Sequence, residues 1–138
     1  MYDHGMDMAL IHIVNDLDIA PHADELRAAF RVFQLLEAKL SQAVGEFDRA
    51  ELWDLDGSPS MPRWLSANIG YVPSRARQFA STAQRLRSFP ATASAWETGE
   101  LTSGQVQVIL ACVKDAMTEK FADGESEMVP ILGQLDTV

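Results

Sequence analysis

The sequence predicts an all-α fold of six to seven helices, with one long N-terminal helix followed by a helix-turn-helix-like unit and further short helices. Three observations carry this prediction. The periodic apolar runs repeat at steps of three, four and seven residues, the spacing of one helix face. No run alternates apolar and polar residues as a half-buried strand does. Pro62, Gly70, Pro73, Pro90 and Gly99 stand at the ends of the runs, where helices start and stop.

Taken in order, Met6 to Leu17 carries Leu10, Ile11, Ile13, Val14 and Leu17 and reads as a short amphipathic helix. Pro21 suits a first helical turn and opens the long helix, expected to run to about Glu51. Its apolar face is Leu26, Phe30, Phe33, Leu40, Val44 and Phe47. Glu37 lies on that face, and because a buried carboxylate needs a partner, an arginine is expected to meet it. Asp54 to Ser60 is dense in turn formers. Ser60 as cap and Pro62 in the first turn start a short helix through Trp64, Leu65 and Ile69, which Gly70 ends as a left-handed residue. Pro73 or Ser74 starts the next helix, with Ala76, Phe79, Ala80, Ala83 and Leu86 as one stripe. Phe89-Pro90 breaks it, and another short helix runs to Gly99. Thr102 with Gln105 forms a capping box that opens an apolar helix from Val106 to about Met117. Asp123-Gly124 reads as a loop, and Pro130 disturbs the last stretch.

A chain of 138 residues buries one respectable core, so a single helical domain over 1–138 is expected. No window reaches the ~18 uninterrupted apolar residues of a membrane span. The start, Met-Tyr-Asp-His, lacks the basic and apolar regions of a signal peptide, so the expected location is the cytoplasm. The single cysteine, Cys112, excludes an internal disulfide and a cysteine-based zinc cluster. Lying in the run Val108 to Val113, it is expected to be a small buried hydrophobe.

The net charge of −9 argues against nucleic acid, but its distribution does not. From Gly57 to Trp96 there is no Asp or Glu, while Arg63, Arg75, Arg77, Arg85 and Arg87 all fall there. That segment carries +5 and the rest of the chain −14, which allows one basic face on an acidic body. The same segment meets the steric demands of a helix-turn-helix. Ser66 is the small residue at the crossing and Gly70 the turn. Leu65, Ile69, Tyr71 and Phe79 are the apolar positions, and Ala76 stands where a branched residue is commoner. The second helix then carries Arg77, Gln78, Ser81 and Arg85 opposite its apolar stripe, with Arg75 on the flank. Arginine and glutamine can contact guanine and adenine edges through two hydrogen bonds, and Ser74 and Ser81 allow close approach to a phosphate backbone. The candidate DNA-binding residues are therefore Arg75, Arg77, Gln78, Arg85 and Arg63. Arg87, nearer the apolar side, is expected to close the helix C-terminus. A merely solvated helix face is the competing reading.

An ordered series of short motifs also resembles a known family. The series is Glu37-Ala-Lys-Leu40, Leu52-Trp53, the Gly57 turn, Trp64-Leu65, Gly70, Ala76-Arg77, Leu86 and Pro90-Ala-Thr, then Trp96-Glu-Thr-Gly-Glu-Leu101, Gln105 and Val108. It is similar to the actinobacterial domain-of-unknown-function family 222, also called the 13E12 repeat family, over about residues 24–114. Members of that family commonly carry this helical region ahead of an HNH endonuclease domain, so the resemblance implies DNA or mobile-element processing. No HNH motif follows here, and the only histidines, His4, His12 and His22, all precede the long helix. The order of parts is also similar to the central DNA-binding region of ParB-type partition proteins, an analogy of fold alone.

Other chemistries find less support. Asp3, His4, Asp7, His12, Asp16, Asp18, His22 and Asp24 invite a metal reading, but no helical i, i+4 histidine pair exists and a solvated acidic terminus is the simpler account. There is no glycine-rich phosphate loop and no serine elbow. Met6, Met8, Met61, Met117 and Met128 suit gap filling, and Trp53, Trp64 and Trp96 suit packing at helix junctions. No catalytic residue, metal or cofactor is expected. The expected function is a helical DNA-binding or targeting module without nuclease activity of its own. The alternatives are a protein-interaction or dimerisation domain that meets a second copy or a nuclease partner, or a remnant of a nuclease.

Overall fold

A computed structural model describes residues 4–113. In chain order they form α1 (His4–Asp16), α2 (Ala23–Arg49), a short 3-10 helix (Leu52–Asp56), α3 (Met61–Ile69), α4 (Pro73–Leu86), α5 (Pro90–Thr98) and α6 (Ser103–Cys112). The fold is all-α, with six α-helices and no strand among the described residues. The expected end near Met117, the Asp123-Gly124 loop and the last stretch around Pro130 lie outside those residues. No helix among them is long and apolar enough to cross a membrane.

Residue contacts group the chain into two compact units, Met1–Val32 and Phe33–Val138. The first holds α1 and the opening turns of α2. In the second, two clusters of buried side chains hold the helices together. One gathers Met61, Leu65, Ala76, Phe79 and Ala80, with Val44, Phe47, Trp53, Trp64 and Tyr71 packed against it. The other gathers Ala38, Leu86, Phe89, Ala95, Trp96, Leu101, Val106, Ile109, Leu110 and Val113.

Local chemistry explains most helix ends. Ser60 is extended and its hydroxyl accepts from the Arg63 amide at 3.3 Å, which starts α3. Gly70 (φ 85°) and Gly99 (φ 86°) end α3 and α5 in the left-handed region. The Thr102 hydroxyl accepts from the Gln105 amide at 3.1 Å and the Gln105 side chain accepts from the Thr102 amide at 2.9 Å, a complete capping box for α6. Two boundaries differ from expectation. Pro21 and His22 form a bend, so α2 begins at Ala23. It closes at Arg49 because Glu51 adopts φ 55°, and Leu52–Asp56 then makes a 3-10 turn that overlaps the start of the turn-forming stretch.

The apolar face expected of α2 holds at Val44 and Phe47, which pack against the core, and is corrected over the rest of the helix. Leu26 (44% exposed), Phe30 (58%), Phe33 (59%) and Leu40 (49%) stand toward solvent. The buried stripe is instead Ala38, Ser41 and Gly45, whose i, i+3, i+7 spacing puts three small residues on one side. Their size lets α4 approach closely: a methyl group on Gly45 would meet the Ala83 carbonyl oxygen at 3.0 Å. Cys112 is also corrected, being exposed. Val106, Ile109, Leu110 and Val113 occupy the core side of α6 at i, i+3, i+4, i+7, and Cys112 falls off that stripe. Met61 fills the core as expected, whereas Met8 is exposed.

Candidate nucleic-acid interface

The helix-turn-helix-like unit is α3, a three-residue turn over 70–72, and α4. Gly70 takes the positive φ that the turn requires, and its amide donates to the Leu65 carbonyl at 3.1 Å. Leu65, Ala76 and Phe79 are buried, as the motif demands. Ile69 departs from it at 54% exposed. The Tyr71 ring takes up that packing role, lying 6.0 Å from the Phe79 ring. A second aromatic pair, Phe47 and Trp64 at 4.8 Å, fastens α2 to α3. The indole N–H groups find carboxylates nearby, Trp64 donating to Asp56 at 2.8 Å and Trp53 to Asp48 at 2.9 Å. Both tryptophans are half-buried joints, in keeping with their positions at helix junctions.

The proposed reader residues separate into two groups. Arg63, Arg77 and Gln78 are exposed, with Ser74 and Ser81 exposed beside the latter two on α4. No ion pair among the described residues reaches Arg63 or Arg77. Arg75 and Arg85 are half-buried and have partners inside the fold. The Arg75 guanidinium lies 3.7 Å from Glu37 and over the rings of Tyr71 (5.5 Å) and Phe79 (5.8 Å). Arg85 donates to the Val113 carbonyl just past the end of α6, where a cation is favoured. Arg87 stands at the C-terminal cap of α4, as expected, and its side chain donates to the Gly45 carbonyl of α2 at 3.4 Å. A shallow groove of about 180 Å³ runs beside the exposed face of α4, lined by Gln78, Ser81, Thr82, Arg85 and Gln107 among others.

Glu37 has the arginine partner that its position demands, and two further partners that the sequence does not show. The Ser103 hydroxyl donates to it at 2.5 Å, and the same hydroxyl accepts from the Trp96 indole at 3.1 Å. One turn earlier on α2, the Gln34 side-chain oxygen accepts from the Ser103 amide at 2.8 Å. Ser103 is the first residue of α6, so Gln34 satisfies an amide that has no partner within its helix, and the Glu37 carboxylate sits where the helix dipole favours negative charge. Farther along α2, Lys39 (3.0 Å) and Gln42 (2.8 Å) both donate to Glu97 of α5. These contacts hold the Glu97 carboxyl below its ordinary value of 4.5, the Lys39 hydrogen bond most of all, then that of Gln42.

Glu37, Trp96, Glu97 and Leu101, all in the motif series, are thus joints between α2, α5 and α6, while Gln105 of the same series caps α6. Among the described residues, no group of three or more His, Cys, Asp or Glu side chains is placed to hold a metal ion. Of the N-terminal metal candidates, Asp3 and the side chains of His4 and Asp7 lie outside what is described.

The fold and this surface define an all-helical protein organised around a helix-turn-helix-like pair whose outer helix presents arginine and glutamine. The model of the family described as Domain of unknown function (DUF222) matches residues 21–125, most of the chain, and the chain belongs to that family. No curated protein and no solved structure matches it.

Proposed function

We propose that this chain is a helical DNA-binding or targeting module that acts in the cytoplasm, with α4 as its reader and no nuclease activity of its own. The observation that carries the reading is the pairing of exposed, unbridged arginines with a chain segment that has no acidic residue of its own. Arg63 and Arg77 are exposed without an ion pair among the described residues, Gln78 stands beside Arg77, and residues 57–96 contain no acid to oppose a phosphate. Arg75 and Arg85 shape this surface by holding α4 to Glu37 and to the end of α6, so their main part is positioning. The family resemblance to regions that precede HNH endonucleases supports the same reading, with the nuclease supplied elsewhere.

Binding of fluorescent random-sequence duplex DNA, titrated with salt, tests the proposal. The expected result is an affinity that falls linearly on logarithmic axes, because each neutralised phosphate releases counterions. Absence of binding at low salt would overturn it.

A further inference from the structure

Arg75 is the third residue of α4, and in a helix-turn-helix the first residues of the second helix are the ones that reach base edges. Its neighbours Ser74, Arg77 and Gln78 are exposed. The Arg75 guanidinium turns back instead, to Glu37 of α2 at 3.7 Å and over the Tyr71 and Phe79 rings. That separation makes an ion pair but is too long for a hydrogen bond, and no hydrogen bond among the described residues uses the Arg75 side chain. Glu37 is satisfied without it. The other oxygen of its carboxylate accepts from the Ser103 hydroxyl at 2.5 Å, at the first residue of α6. The two side chains also differ in exposure, 42% for the arginine and 21% for the glutamate. A fixed anion thus faces a loosely held cation.

We propose that Glu37 sets the affinity of this chain for DNA by withholding Arg75 from the phosphate backbone. The inference rests on the DNA-binding reading and deepens it by naming the acid that limits it. Residues 57–96 contain no Asp or Glu, so an acid that meets their arginines comes from elsewhere in the chain. Among the described residues Glu37 is the acid that does so, since the other ion pairs lie within α2 or join it to α5. Water screens a pair as exposed as this one, so neutralising its negative half frees the cation at little structural cost. The Tyr71 and Phe79 rings remain under the guanidinium and keep it beside the start of α4. Removal of the Glu37 charge therefore adds one cation to the surface that faces DNA.

Salt-titrated binding of random-sequence duplex DNA to the full chain and its variants tests this. Glu37→Gln removes the charge and keeps an acceptor for Ser103. It should steepen the logarithmic salt slope by about 0.9, the increment of one further phosphate contact, and tighten binding about tenfold at low salt. A gain of affinity is a readout that loosened packing would not give. Arg75→Ala alone should leave the parent slope where it is. The double variant should return to the parent slope, because the gain needs Arg75. Glu37→Met, also neutral and a good helix former, repeats the release should the glutamine variant fail to fold. A parent that binds no DNA overturns this inference together with the DNA-binding reading. Where the parent binds, three results overturn this inference alone: neutral variants that bind no tighter, a slope flattened by Arg75→Ala, or a double variant as steep as Glu37→Gln.

Discussion

Two donors meet one carboxylate at Glu97, and the arrangement has a signed consequence for pH. Lys39 and Gln42 favour the ionised form, so the folded carboxyl lies below 4.5 while the unfolded one keeps its ordinary value. Its stabilisation is present above about pH 4.5 and is lost as pH falls through the lower folded value. Glu97→Gln should therefore make thermal stability less sensitive to acid in that range, as melting curves between pH 3 and pH 6 would register, while the wild-type chain loses Tm. Glu37 shows how far residue-level reading reaches. Burial on a helix face demands an opposite charge, and that demand is legible from one position. Which arginine meets it is a matter of tertiary placement. Helical spacing alone sets Arg75 on the flank of a DNA-facing surface, yet its guanidinium turns to Glu37. The same limit applies to Arg85, whose acceptor is a backbone carbonyl 28 residues away.

Among the elements, α4 and the part of α2 that packs on it make complementary predictions. Phe79 is 7% exposed, and truncating it should destabilise the domain by about 3–5 kcal/mol, as a large core side chain does, measured by urea unfolding. Gly45→Ala should also destabilise, by about 1–3 kcal/mol, although alanine is the better helix former. The added methyl meets the Ala83 carbonyl at 3.0 Å, so α2 and α4 must shift apart; a variant more stable than the parent would contradict this close packing. Helix ends are legible in the sequence because capping is local: Ser60, Gly70, Gly99 and the Thr102–Gln105 box each act within a few residues. The packing face of α2 is not. Large side chains dominate an apolar pattern, and Leu26, Phe30, Phe33 and Leu40 share spacing without being buried, while the side that packs is the small-residue stripe Ala38, Ser41 and Gly45. Three small residues at i, i+3, i+7 are the signal that marks such a close helix approach.

For the molecule as a whole, targeting falls to this chain under the proposed function and cleavage to something else. The full chain should leave supercoiled plasmid intact in magnesium, manganese or zinc. Cleavage abolished on replacing His4, His12 and His22 by alanine would reveal an N-terminal centre, and cleavage that survives it would reveal a carboxylate site. The DNA-binding proposal turns on a division of labour in which Arg63 and Arg77 face DNA while Arg75 holds the fold. The salt dependence of duplex binding, measured for Arg63→Ala combined with Arg77→Ala, reads that division out. Each phosphate that the variant no longer neutralises should flatten the logarithmic slope by about 0.9, so the pair should flatten it by roughly two units. The melting temperature should stay near that of the parent, since both side chains are exposed. A double variant that binds as tightly as the parent at every salt concentration would contradict it.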